Sequence, residues 1–68
     1  MKINEIKEGC TYTNGLDGGY YAERKVLAIN GESLSYKHIR GFKRPGFKIV
    51  EGISVKGFAN WAREEVMQ

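Results

Sequence analysis

The residues able to do chemistry concentrate in one stretch, Tyr36 to Lys48, which reads YKHIRGFKRPGFK. It carries Lys37, Arg40, Lys43, Arg44 and Lys48, with His38 among them and no acid. Tyr36, Phe42 and Phe47 are interleaved. Cationic side chains on one surface neutralise phosphates, and nearby aromatic faces accept unpaired bases by stacking. The expected phosphate contacts are Lys37, Arg40, Lys43, Arg44 and Lys48, with Tyr36 and Phe42, and also Tyr20 and Tyr21, as stacking platforms. The alternation of Tyr36 and Phe47 with polar neighbours favours core positions for these two.

Charge is unevenly distributed along the 68 residues. Residues 1–23 set Lys2 and Lys7 against Glu5, Glu8, Asp17 and Glu23, a net −2. Residues 24–50 set Arg24, Lys25 and the five cations above against Glu32 alone, a net +6. The remainder sets Lys56 and Arg63 against Glu51, Glu64 and Glu65, a net −1. A basic middle favours a polyanion or an acidic protein surface as partner.

Catalysis needs a placed acid, base or nucleophile. His38 and Cys10 are the sole histidine and cysteine. As a pair they lack any evident orienting third group, and they fall short of the four ligands of a structural zinc site. Cys10 reads as a buried structural cysteine and His38 as a surface or packing residue. Gly15-Leu16-Asp17-Gly18-Gly19 lacks the Gly-Lys-Ser/Thr ending of a phosphate loop, so it reads as a hairpin loop. The expectation is a binding protein, not an enzyme, with no cofactor and no metal.

One small domain is expected, because a chain this short buries only about 60% of its unfolded surface. One cysteine allows no internal disulfide, so stability rests on apolar burial, as a monomer or a homodimer. No apolar run approaches the roughly 20 residues that span a bilayer. The N-terminus, MKINEIKEG, is broken by charges where a signal peptide is apolar. A cytoplasmic protein is the expectation.

The elements that position the basic stretch are mostly strands. Asn4 is placed to cap one helical turn around Ile3 and Ile6, and Gly9 leads into a strand over Cys10–Thr13. Tyr20 to Asn30 reads as a strand region whose Arg24–Ile29 core is apolar on both faces. Asn30-Gly31 signals a hairpin, returning from Ser33 with Leu34 and Tyr36 on one face and Ser35 and Lys37 on the other. Gly41 marks an interruption, and Pro45-Gly46 suits a second turn with Lys43 and Arg44 near its tip. Ser54 caps a terminal helix whose Val55, Phe58, Ala59, Trp61, Ala62 and Val66 share an arc of roughly 160°. Gly57 in its first turn costs up to roughly 1 kcal/mol relative to Ala. The fold class expected is mainly β with one C-terminal helix. It would be a small SH3-like barrel or a strongly bent antiparallel sheet capped by the helix.

Three pieces carry a family likeness: Gly9-Cys10-Thr11-Tyr12, Arg24-Lys25-Val26-Leu27-Ala28-Ile29 and Ile53-Ser54-Val55-Lys56-Gly57-Phe58-Ala59-Asn60-Trp61-Ala62. Together they resemble small accessory proteins encoded by phages and prophages. Their pattern is Gly-x-x-Tyr, Arg-x-Val-Leu-x-Ile, a Val-x-Tyr return and a final Ser-x-x-x-Phe-Ala-x-Trp-Ala helix. Here Leu34-Ser35-Tyr36 stands at the return, and Gly57 replaces a better helix former. The resemblance implies a mobile-element origin and a bacterial host cytoplasm, and it brings no active residues.

Two functions follow from these residues. In one, the basic hairpin and a sheet face bind DNA or RNA by charge, with little sequence readout. In the other, a phage-type modulator docks on a host protein, such as a nucleic-acid-handling or defence complex. Its aromatic anchors would be Tyr20, Tyr21 and Trp61.

Overall fold

The computed structural model describes residues 1–16, 18–41 and 48–66. Its strands are β1 (Thr11–Thr13), β2 (Glu23–Asn30), β3 (Ser33–Arg40), β4 (Val50–Ser54) and β5 (Glu64–Val66), and its one α-helix, α1, is Val55–Trp61. All pairings are antiparallel, in the order β4-β3-β2-β1-β5. The expected class, mainly β with one helix near the C-terminus, is the observed one. Among the described residues the outermost strands, β4 and β5, do not pair with each other. The expected turn at Pro45-Gly46 lies outside the described residues.

The β2–β3 hairpin turns through Gly31-Glu32, since Asn30 already pairs with Ser33. Gly31 takes φ +67, which a side-chain-bearing residue rarely adopts. Pairing then runs regularly through Ile29 with Leu34 and Ala28 with Ser35, and slips by one between Val26 and Ala28. Leu27 is the extra residue of this bulge. The slip decides the strand's two faces, because side chains alternate with a period of two. Unbroken alternation from Ile29 would turn Leu27 and Lys25 inward. With the bulge, Val26 is completely buried while Lys25 and Leu27 are exposed. The expected strand with two apolar faces is thus a strand with one.

The core gathers on α1. Phe58 has no exposed surface, and its ring meets those of Tyr12 at 5.7 Å, Tyr36 at 5.7 Å and Trp61 at 5.4 Å. Val26, Leu34, Val55, Ala59, Ala62 and Ile6 complete the buried cluster. Tyr12 is polar only at its tip. There the hydroxyl donates to the Glu5 carbonyl and accepts from the Lys7 amide, both at 2.9 Å, and ties the N-terminal segment to β1. That segment contains a single 3-10 turn, Ile3–Glu5, whose cap position is Lys2 rather than the expected Asn4. The Lys2 amide donates to Glu5 Oε1 at 2.8 Å.

The terminal helix is shorter than its apolar arc suggests. Ser54 is the N-cap as expected, its hydroxyl accepting from the Gly57 amide at 3.0 Å. Ala62 is already extended, at φ −73 and ψ 135, and Glu64–Val66 pairs with β1 instead of continuing the helix. Arg63 begins the switch by donating its amide to the Thr13 carbonyl at 2.8 Å. Val66 therefore belongs to a strand and not to the helical face. The physical reason lies in β1, whose free edge needs hydrogen-bond partners that three extended residues supply.

Gly57 also has a tertiary reason. A Cβ there would lie 3.0 Å from Ser54 Oγ and 3.3 Å from two carbons of Ile53. Replacing Phe58 with Ala should cost about 3–5 kcal/mol, read as a large drop in the thermal midpoint by circular dichroism. A variant within about 1 kcal/mol of the native protein would refute the central role of this ring. Gly57→Ala should leave the midpoint unchanged or lowered, although helix propensity alone would raise stability by about 1 kcal/mol.

Candidate functional site

The bulge that buries Val26 also assembles a basic surface. It brings Lys25 directly opposite Lys37, which in turn stands opposite Val50. Both lysines are exposed, and among the described residues neither forms an ion pair. Like charges facing each other across a strand pair are destabilising by themselves. Lys25 was not among the residues expected to bind. Its signal was present in the hairpin pattern, but only the one-residue slip at Leu27 aligns it with Lys37.

The other expected contacts divide. Arg40 is exposed and stands opposite Glu23 in register, so its charge is partly countered. Lys48 is exposed. Lys43, Arg44 and Phe42 lie outside the described residues. Tyr36 is corrected: at 3% exposure it is a core residue and offers no face to a base. Its side chain points the same way as Leu34, toward Phe58. Around the lysines the exposed apolar groups are aliphatic, among them Leu27, Ile39 and Val50.

The residues proposed for a protein partner also differ from one another. Tyr20 is 81% exposed, on a 3-10 turn formed by Gly18–Tyr20. Asn14 anchors this turn, donating from Nδ2 to the Tyr20 carbonyl at 2.7 Å while its Oδ1 accepts from Leu16 and Ala22 amides at 3.2 Å. Tyr21 is half-buried and its hydroxyl donates to the Glu23 carboxylate. That bond, first among the causes, raises the Tyr21 pKa by favouring the neutral phenol. Trp61 is half-buried beside Phe58.

On the inner face, β2, β3, β4 and α1 bring five side chains together, Tyr36 and Trp61 among them. The Arg24 guanidinium lies 4.2 Å from the Trp61 ring centroid and 4.8 Å from that of Tyr36. Tyr36 donates its hydroxyl to Glu51 Oε2 at 2.9 Å, and His38 Nε2 stands 3.6 Å from the same oxygen. The His38 ring packs edge-on against Tyr36 at 5.0 Å. His38 is flanked by cations in the chain; Lys37 points to the opposite face, but in space His38 stands opposite Arg24 in register and 3.6 Å from Glu51 Oε2. Cys10 is half-buried against the core rather than fully enclosed. Among the described residues, no three His, Cys, Asp or Glu side chains are grouped to hold a metal ion. No described helix is long and apolar enough to cross a membrane.

The hydrogen bond from Tyr36 holds the Glu51 carboxyl below its ordinary pKa, with His38 adding to the effect and desolvation opposing it. Burial pushes the Tyr36 phenol up, and the bond to Glu51 pushes it further. A depressed carboxyl contributes stability that is present above its unfolded pKa of about 4.3 and lost as pH falls through the folded value. Tyr36→Phe should therefore flatten the fall in thermal midpoint below about pH 4.3, measured by circular dichroism from neutral to acid. An unchanged slope would remove Tyr36 as the group that sets the acidity of Glu51. Comparison with protein-family models, curated proteins and solved structures finds no match for this chain.

Proposed function

We propose that this protein is a non-catalytic module that binds DNA or RNA through backbone phosphates, with little sequence specificity. The observation that supports the reading is the exposed Lys25–Lys37 pair, two like charges held opposite each other without a carboxylate partner among the described residues. A bound phosphate would relieve their repulsion, and the released counterions would drive association. Arg40 and Lys48 extend the cationic character on either side of a chain segment that itself contains Lys43 and Arg44. With Tyr36 in the core, base stacking has less part in this reading than charge. The setting that goes with it is a bacterial cytoplasm and a mobile-element origin.

Exposed apolar groups favour a second reading, docking on a host protein. Val50 of the outer strand β4 is 50% exposed and Ile49 just before it 53%, and Tyr20 is 81% exposed elsewhere. A partner that covers such residues would use them as its apolar anchors.

Fluorescence anisotropy with labelled single-stranded DNA, duplex DNA and RNA, over a series of salt concentrations, separates the two. The native protein should bind with an affinity that falls steeply with salt. Lys25→Glu/Lys37→Glu should weaken binding to every sequence alike and reduce the logarithmic salt slope by about 2 for duplex DNA. Circular dichroism should show both proteins folded. Absence of binding to all three ligands at low salt overturns the nucleic-acid reading and leaves the protein-docking one.

A further inference from the structure

We propose that Arg24 is the anchor of a second binding site, one that receives a single carboxylate side chain of a partner protein. Arg24 sits on the inner face, whereas the Lys25–Lys37 pair sits on the outer one, so this site is separate from the nucleic-acid surface. Its guanidinium is held over Trp61 and Tyr36, at 4.2 and 4.8 Å from their ring centroids. Stacked in this way, the planar fork loses little freedom when it takes a ligand.

What marks the residue is its hydrogen bonding. A guanidinium has five N–H donors. Arg24 Nε is buried and has no acceptor. The terminal nitrogens are not buried, and none of them is hydrogen-bonded or ion-paired among the described residues. Exposed donors are met by water, but a buried donor is ordinarily paired within its own fold, so the unpaired Nε–H is the exception that points to a ligand. The nearest candidate within the fold, Glu51, is already engaged by Tyr36 at 2.9 Å and approached by His38 at 3.6 Å. Arg24 therefore keeps a positively charged, oriented donor edge at the margin of an aromatic wall.

Charge and shape select the ligand class. A nucleic-acid backbone presents a row of phosphates and needs a row of cations. Here one cation stands beside the negative Glu51, which repels a strongly charged anion. A carboxylate is planar, carries one charge and meets a guanidinium with two parallel hydrogen bonds. Half-buried Trp61 gives the residues flanking that carboxylate an apolar surface to cover.

The test uses the whole chain and small probes. Trp61 is the only tryptophan, so its indole N–H and its emission report on this site alone. Sodium acetate, dimethyl phosphate and sodium chloride would be titrated at equal ionic strength. The Arg24 Nε–H and Trp61 Nε1–H resonances would be followed in nitrogen–proton correlation spectra. Acetate should shift both resonances saturably, and chloride should not. Arg24→Lys, which keeps the charge but not the fork, should weaken the acetate response at Trp61 at least tenfold, and Arg24→Gln should abolish it. Equal responses to acetate and chloride in the native protein would overturn the site, whatever the variants do. A Trp61 response that survives in Arg24→Gln would also overturn it. A response to dimethyl phosphate stronger than that to acetate would overturn the carboxylate assignment. None of these outcomes depends on Lys25 or Lys37, so failure here is distinguishable from failure of the nucleic-acid reading.

Discussion

The packing of Phe58 against three other aromatic rings is the contact on which the rest of the structure depends. Tyr12 comes from β1, Tyr36 from β3 and Trp61 from the end of α1. One side chain thus joins a seven-residue helix, too short to persist alone, to strands on both sides of β2. The two tyrosines have polar tips, and each tip is tied elsewhere. Tyr12 holds the N-terminal segment, and Tyr36 reaches Glu51 on β4. Trp61 lies under Arg24. The apolar centre and its polar margin therefore form one connected unit. Loss of the ring at its centre would loosen the helix, the N-terminal segment and the Arg24 cluster together.

Around this centre the bulge at Leu27 assigns residues to surfaces. It sends Val26 and Arg24 inward and Lys25 outward, so the two charged neighbours in Arg24-Lys25 serve opposite faces. Outside, a lysine faces a lysine. Inside, an arginine rests on aromatic rings beside a carboxylate held by a phenol and approached by an imidazole. In the readings proposed above, the outer arrangement takes phosphate charges and the inner one a single planar anion, each on its own face of the sheet.

The residues that carry the phage-type resemblance fall largely on the packing centre. Tyr12, Val26, Phe58, Ala59 and Ala62 are all buried, and Ser54 is the helix cap. Such a pattern reports how a short chain closes its core. It leaves the exposed lysines outside its terms, apart from the incidental Lys25 within the Arg-x-Val-Leu-x-Ile strand. Arg24, Tyr36 and Trp61 belong both to the pattern and to the cluster on the inner face.

Local chemistry by itself determined a good part of this protein. The mainly β class, the Gly31 hairpin, the inward Leu34 and Tyr36, the Ser54 cap and the apolar helix face were legible, because each rests on period, turn residues or capping within a few positions. The concentration of cations after residue 23 was legible from composition. Tertiary structure decided the remainder. The slip at Leu27 arises because burying Val26 and exposing Lys25 outweighs an unbroken ladder, and no residue type announces it. The stop at Trp61 has no glycine or proline to mark it, and Val66 happens to lie on the helical arc; the open edge of β1 draws Glu64–Val66 into the sheet instead. Gly57 looked like a cost to the helix until the approach of Ser54 and Ile53 showed how tightly a Cβ would be held there. The Arg24 cluster draws on four separate elements, so only the folded chain brings it together.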